Sequence, residues 1–157
     1  GVTVLATTRQ PERLAVLAEH GVEHPILDDG RVAPPVRDIV PAGVDATLEL
    51  VGPPTLRDSL RATRVHGTVC CTGMVSHRFE VPDFYPIDFI PRGVRLTAYS
   101  GDAGDLPRPV LQRYLDAAAA GRFSVPRRVY ELEQIQEAHL AMETNRAVGK
   151  LVVRVTR

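Results

Sequence analysis

Several absences narrow what this chain of 157 residues can be. Its 19 Lys and Arg side chains balance 19 Asp and Glu side chains, and no block of like charge occurs, which argues against a broad nucleic-acid or anionic-membrane surface. No apolar run approaches the roughly 20 residues of a membrane span, and no signal peptide precedes Gly1. We therefore expect a cytoplasmic protein that binds neither nucleic acid nor a membrane.

Cysteine is scarce, since the chain has only two such residues, Cys70 and Cys71. Adjacent side chains of a strand point to opposite faces, so we expect two unbonded, buried thiols in a reduced compartment. The five histidines are His20, His24, His66, His77 and His139. They form no HxH or HExxH arrangement and no second Cys pair accompanies them, so we expect no metal site in this chain.

Strand-like and helix-like segments alternate along almost the whole chain, whose length and 44% hydrophobic content suit one globular domain. Short apolar or alternating runs predict strands at residues 2–5, 25–27, 44–51, 66–73, 94–99, 127–132 and 149–155. Apolar stripes predict helices at residues 11–21, 32–39, 53–60, 87–90 and 132–142, and one that is capped by Asp105 and ends at Gly121. The alternation predicts an α/β fold with a mainly parallel sheet and flanking helices.

The turn that follows the first predicted strand is polar and basic. It carries Thr7, Thr8 and Arg9, and Arg13 lies one helical turn further on. The first predicted strand and its helix look like the second strand–helix unit of a dinucleotide-binding fold. In that fold the turn after the second strand meets the adenosine ribose, where an acidic residue binds a 2′-hydroxyl and an arginine accommodates a 2′-phosphate. Hydroxyl donors with fixed positive charge therefore favour NADP(H) at this turn.

Four phrases, in order, span nearly the whole chain: GVTVLATTRQPERLAVLAEHGVEHPI, GVDATLELVGPPTLRDSLRATRVHGTVCCTGMVS, DFYPIDFIPRGVRLTAYSG and RRVYELEQIQEAHLAMETNRAVGKLVV. They resemble the medium-chain dehydrogenase/reductase superfamily, most closely its zinc-independent quinone oxidoreductase branch. The resemblance implies a Rossmann-like fold, the cofactor NADP(H), hydride transfer to a quinone or enone substrate, and a homodimer.

Two parts of that family's pattern are missing from this sequence. In the family a catalytic domain comes first, and the cofactor domain opens with a strand and a glycine-rich turn that binds the pyrophosphate. No GxGxxG or related cluster occurs among the 12 glycines. The chain therefore resembles the carboxyl-terminal part of a reductase, with a partial dinucleotide-binding domain at residues 1–123 and a strand–helix–strand segment at 124–157 that returns toward the catalytic domain. We expect this portion to be inactive alone.

The missing first strand would be central in the six-strand order 3-2-1-4-5-6, so its removal would leave two unpaired edges. We expect some compensation for these edges. The two halves of the sheet close up, a strand from another chain fills the gap, or a separate polypeptide supplies the missing part. The sequence leaves these alternatives open.

The resemblance implies contacts with the cofactor at Thr7, Thr8, Arg9, Arg13, Val51, Gly52, Gly73, Met74, Val75, Tyr99, Ser100 and Lys150. The first four would meet the adenosine ribose and its 2′-phosphate, while residues 51–52 would pass beneath the adenine and ribose. Residues 73–75 would line the nicotinamide side, and residues 99–100 would border the nicotinamide pocket. Lys150 belongs to the family's closing motif, where the chain touches cofactor or partner.

Each position also has a plainer structural interpretation. Arg9 would be an ordinary solvated arginine, and Gly52 would serve a tight turn before two prolines. Residues 73–75 would form a strand-to-loop turn, Tyr99 a half-buried packing aromatic, and Lys150 the start of an edge strand.

We assign no catalytic residue in this chain. No pair of side chains is arranged as nucleophile and base, and the carboxylates of Asp28, Asp29, Asp45 and Glu49 have no evident acid–base partner. This is compatible with reductase chemistry, because the cofactor carries the hydride while the protein mainly orients it. Two other functions stay open: a non-catalytic α/β assembly module, and another nucleotide-binding domain of methyltransferase-like type.

Overall fold

A computed structural model describes residues 1–155 of the chain. Residues 1–155 contain no helix with the length and apolar character needed to cross a bilayer. The chain divides into two compact units, Gly1–Gly101 and Asp102–Arg157. The predicted division between residues 123 and 124 concerns how the chain relates to a catalytic domain, and it stays a prediction.

The first unit alternates strands and helices, as the sequence predicts. Its elements are β1 (Leu5–Thr8), α1 (Arg13–Glu19), β2 (His24–Leu27), α2 (Ala33–Ile39), β3 (Val44–Glu49), α3 (Pro53–Ala62), β4 (Thr63–Cys71), α4 (Pro86–Phe89) and β5 (Arg95–Ala98). Strands β1 and β2 form one parallel pair, and β3, β4 and β5 form a parallel sheet in that order. The prediction of an α/β fold with parallel strands and flanking helices is therefore confirmed.

The second unit is smaller and contains one parallel pair of strands. It holds a 3₁₀ turn (Ala103–Asp105), α5 (Arg108–Ala119), β6 (Arg127–Glu131), a second 3₁₀ turn (Leu132–Gln134), α6 (Ile135–Glu143) and β7 (Lys150–Arg154). Strands β6 and β7 pair along their whole length, from Arg127 opposite Lys150 to Glu131 opposite Arg154. The predicted closing strand–helix–strand segment is thus present.

The two ladders of the first unit do not join edge to edge. Within residues 1–101, β1 pairs only with β2, and β3 pairs only with β4. An apolar cluster bridges the ladders instead, formed by Ile26, Ala33, Val36 and Ala62 with Leu5 and Val44 packed against it. The two halves of the sheet thus meet through side-chain packing and not through strand pairing, and the three forms of compensation stay predictions.

The core of the three-stranded sheet lies beneath α3. Leu56 and Leu60 occupy one face of this helix and pack against Val69 and Cys71 of β4, with Phe89 and Val94 in the same cluster. Residues four apart share a helix face, so a leucine pair at this spacing covers the sheet continuously. This packing fixes α3 against the carboxyl half of β4, and Glu49 at the end of β3 binds the same helix, so the candidate site lies at this end of the sheet.

Both ends of the first strand differ from the prediction. The first strand spans Leu5–Thr8 instead of residues 2–5, because its ladder with the four-residue β2 begins with Leu5 opposite His24. Val2 is 84% exposed and lies outside the ladder. The two threonines therefore belong to the strand itself, and Arg9 is the first residue after it.

The helix that Asp105 was predicted to cap begins later, at Arg108. The Asp105 carboxylate accepts a hydrogen bond from the Asp102 amide at 3.0 Å, and the Asp102 carboxylate accepts one from the Gly104 amide at 2.6 Å. This reciprocal pair caps the 3₁₀ turn, so Asp105 is committed to a different element. Pro107 occupies the N-cap position of α5.

Candidate functional site

The loops that follow β3 and β4 are joined backbone to backbone. Four hydrogen bonds link residues 49–51 to residues 72–76: Thr72 and Gly73 donate to the Glu49 carbonyl, Val75 to the Leu50 carbonyl, and Ser76 to the Val51 carbonyl, at 3.0 to 3.2 Å. Carboxyl ends of neighbouring parallel strands meet at one edge of a sheet, which is where ligands bind in open α/β folds. The structure therefore brings together the predicted residues at 51–52 and 73–75.

Glycine permits the close approach of these two loops. A Cβ on Gly73 would lie 2.7 Å from the Leu50 Cα, and a Cβ on Gly52 would lie 2.8 Å from the Met74 sulfur. Gly52 also has φ of 103°, a conformation that side chains rarely adopt. A larger residue at Gly73 would push the backbones of the two loops apart, whereas at Gly52 the positive φ is what requires glycine.

A buried carboxylate holds the first of these loops. Glu49 is only 4% exposed. Its Oε1 accepts hydrogen bonds from the amides of Val51 at 2.8 Å and Gly52 at 3.0 Å, and from the Thr55 hydroxyl at 2.9 Å. Its Oε2 accepts one from the Ser59 hydroxyl. Sequence reasoning missed this role, although threonine and serine six and ten residues after a glutamate are a usable signal.

The N-terminus of α3 consequently offers no backbone donor to a ligand. Pro53 and Pro54 have no N–H, and the Gly52 amide already binds Glu49. The amides of Thr55 and Leu56 donate to the Gly52 carbonyl at 3.1 Å. A helix N-terminus with free amides is a ready anion site. This one lacks them, so the loop suits an uncharged part of a ligand and not a phosphate.

An apolar rim borders the joined loops. Leu50 is 50% exposed, Met74 37% and Val75 71%. The loop after β5 extends this edge, because the Tyr99 amide donates to the Cys71 carbonyl at 2.9 Å. The Tyr99 ring folds back over Gly101, where a Cβ would lie 2.7 Å from the ring Cε1. The predicted residues at the ends of β3, β4 and β5, with exposed Ser100, thus lie along one edge of the sheet.

The other predicted contacts lie on different ladders. Thr7 and Thr8 end β1, and the Thr8 hydroxyl accepts a hydrogen bond from the Gln10 amide at 3.2 Å. Arg9 is exposed directly after the strand, and Arg13 is the first residue of α1. Lys150 belongs to the second unit, where its amide donates to the Pro126 carbonyl at 2.8 Å and its side chain is exposed.

The two cysteines differ in their surroundings. Both are unbonded, and Cys71 is buried while Cys70 is half-buried. Burial raises the pKa of the Cys71 thiol above its usual value, and the neighbouring charges of Glu49 and Cys70 add to the increase. Because the thiolate is the reactive form, Cys71 is held in its inert, protonated state.

We expect iodoacetamide at about pH 8.5, near the ordinary thiol pKa, to modify Cys70 well before Cys71 in the folded chain. The raised pKa and the burial of Cys71 act in the same direction. A time course read by peptide mass spectrometry measures both rates. In urea the two rates should converge, and equal rates in the folded chain would contradict the assignment.

Alternating helices and parallel strands that end in a row of close-packed, glycine-containing loops define a Rossmann-like domain of the dinucleotide-binding class. Residues 20–153 match the family model of the zinc-binding dehydrogenases. The chain therefore belongs to this family, within the medium-chain dehydrogenase/reductase superfamily, and that part of the sequence-based prediction is confirmed.

Solved structures share the fold over nearly the whole chain. The chain is similar to the protein AibC, at 24% identity and a TM-score of 0.82, covering 100% of this chain and 43% of that one. It is also similar to an alcohol dehydrogenase zinc-binding domain protein from Burkholderia ambifaria (25%, 0.79, covering 99% and 42%). A third is a quinone oxidoreductase of Pseudomonas syringae pv. tomato DC3000 (18%, 0.78, covering 96% and 48%).

The chain spans less than half the length of each of these structures. No curated protein matches it. These likenesses establish the architecture of the domain.

The family's name raises the question of zinc, and the donor set here does not fit it. Among residues 1–155, no group of three or more His, Cys, Asp or Glu side chains is placed to hold a metal.

Proposed function

We propose that this chain is the cofactor-binding portion of an NADPH-dependent oxidoreductase of the quinone or enone reductase type. The observation that carries the proposal is the row of joined loops after β3, β4 and β5, with two close-packed glycines and an apolar rim. The start of α3, which has no free backbone donor, suits an uncharged part of a dinucleotide such as its adenine, ribose or nicotinamide. Family membership supports a nicotinamide cofactor in general.

The preference for NADPH rests on the end of β1. Thr7 and Arg9 are exposed there, and no carboxylate occupies residues 7–11 to bind a ribose 2′-hydroxyl. A guanidinium binds a phosphate through charge-assisted hydrogen bonds. We assign recognition of the 2′-phosphate to Arg9, with the two threonines and Arg13 as neighbours.

The cofactor would supply the hydride, and this chain's own residues would bind and orient it. The loops at 51–52 and 73–75 would hold the uncharged rings at the sheet edge, and the exposed apolar side chains would exclude water from them. We place the quinone- or enone-binding residues outside this chain, which spans less than half of its structural neighbours. A homodimer and the inactivity of the isolated portion belong to the same proposal.

The test uses half of the cofactor, because the chain has no glycine-rich turn for the pyrophosphate. Calorimetry of the 157-residue chain with 2′-phosphoadenosine 5′-phosphate and with AMP isolates the effect of the 2′-phosphate. We expect the 2′-phosphorylated compound to bind roughly 10- to 100-fold more tightly, since a hydrogen bond to a charged group contributes about 1.5–3 kcal/mol. Arg9→Ala should abolish this preference.

Arg92→Ala provides the matched control, because Arg92 is also exposed but precedes β5 and lies away from the strand ends. A preference that survives Arg9→Ala would remove the assignment to Arg9. Equal affinity of the unaltered chain for both compounds would remove the NADPH preference. If neither compound binds, the non-catalytic assembly module becomes the better description.

A further inference from the structure

The carboxylate of Glu49 does more than satisfy its own burial. It fixes the amides of Val51 and Gly52, which lie two and three residues later. Gly52 is thereby held at φ 103° and ψ −151°, the conformation that starts α3. A buried carboxylate must be compensated by hydrogen bonds, and here all the compensation comes from one loop and the first two turns of one helix.

The loop after β3 in turn fixes the backbone of the loop after β4 through hydrogen bonds. With its amides held by Glu49, the first loop presents the carbonyls of Leu50 and Val51 to the second loop. These two carbonyls accept the amides of Val75 and Ser76, at 3.2 and 3.1 Å. The backbone of residues 74–76 therefore depends on the carboxylate through one intervening layer of hydrogen bonds.

We propose that Glu49 is a positioning residue for nucleotide binding, which sets the loops after β3 and β4 and keeps the Val51 and Gly52 amides away from the ligand. This rests on the proposed cofactor-binding function, but the loop geometry is measurable without a ligand. A positioning role requires the acceptor geometry of the side chain, whereas an electrostatic role would require its charge.

Three substitutions separate geometry from charge. Glu49→Gln keeps the length and one acceptor oxygen for the Val51, Gly52 and Thr55 donors, while its NH₂ faces a Ser59 hydroxyl that can turn to accept. Glu49→Asp keeps the charge but is one methylene shorter. Glu49→Ala removes both.

Hydrogen exchange followed by NMR at the amides of Val51, Gly52, Val75 and Ser76 reports the loop geometry, and calorimetry with 2′-phosphoadenosine 5′-phosphate reports binding. We expect Glu49→Gln to retain slow exchange and an affinity near that of the unaltered chain. Glu49→Asp and Glu49→Ala should speed exchange at all four amides and weaken binding about tenfold or more, the equivalent of one lost charge-assisted hydrogen bond.

Val94→Ala serves as the stability control, because Val94 belongs to the same core cluster but precedes β5, at the other end of the strands. If this variant speeds loop exchange and weakens binding as much as Glu49→Ala, Glu49 acts only through general stability and the proposal is overturned. It is also overturned if Glu49→Gln behaves like Glu49→Ala, since geometry alone would then be insufficient.

If the unaltered chain binds no nucleotide, the proposed function fails, and the exchange data still decide whether Glu49 positions both loops. Unchanged exchange at Val75 and Ser76 in Glu49→Ala would reject that positioning. Faster exchange there, absent from Val94→Ala, would establish it as a property of the fold independent of any cofactor.

Discussion

Replacing Gly149 with alanine is expected to open the β6–β7 ladder and to destabilise the second unit by about 2–5 kcal/mol. Gly149 has φ of 73°, and a Cβ there would overlap the carbonyl oxygen of Pro126 and lie 2.5 Å from its carbonyl carbon. That oxygen accepts the Lys150 amide, and the next residue, Arg127, begins the ladder opposite Lys150. Relieving the overlap therefore requires breaking the start of the ladder.

Gly121→Ala separates the backbone strain from the overlap. Gly121 has a similar φ of 67°, but nothing lies within 4 Å of the position of its Cβ. This control should cost only the left-handed strain, about 1–2 kcal/mol. Hydrogen exchange of residues 127–154, followed by mass spectrometry, measures the effect within the second unit. Equal changes in the two variants would show that the Pro126 carbonyl moves aside at little cost.

The order and type of the elements could be predicted from the sequence, because hydrophobic periodicity and turn residues are local signals. Strand limits could not, since they depend on the partner strand. Val2 and Val4 suit a strand by composition, yet the ladder begins at Leu5 because β2 extends only from His24 to Leu27. The separation of β1 from β3 likewise depends on which backbones meet and not on any local pattern.

The row of loops after β3, β4 and β5 could be anticipated, because strand ends and glycines are visible in the sequence. The role of Glu49 could not be read from alternation, which places it on one face of β3 with Asp45 and Thr47. Along this face burial rises from exposed Asp45 to Glu49 at 4%, where α3 covers the end of the strand. That cover, with its Thr55 and Ser59 donors, is a tertiary feature.

Arg9 is assigned by its residue type and its place after β1. Its residue type favours a phosphate, but an exposed arginine after a strand has the same sequence pattern whether or not it binds one. The charge pattern identifies the side chain, and only affinity for a 2′-phosphate can assign its function.

Leu60→Ala is expected to lower the free energy of unfolding of the first unit by about 3–5 kcal/mol, the upper part of the range for a buried leucine. Leu60 has 0% exposure and lies in the cluster with Leu56, Val69 and Phe89. Leu60 directly follows Ser59 in α3, and the Ser59 hydroxyl donates to the Glu49 carboxylate. A cavity at Leu60 would therefore loosen the helix that covers this carboxylate. Urea unfolding, with hydrogen exchange at the Val69 amide, measures the loss.

Leu48→Ala removes the same atoms at a site that is 63% exposed on the neighbouring strand β3, so it should cost less than about 1 kcal/mol. Because both variants replace leucine with alanine, the difference between their losses of unfolding free energy reports the effect of burial alone. A loss at Leu60 no greater than at Leu48 would mean that α3 is not held by this cluster. In that case the hydrogen bonds of Glu49 to Thr55 and Ser59 would be the main attachment of the helix, and Glu49→Ala should then cost more than Leu60→Ala.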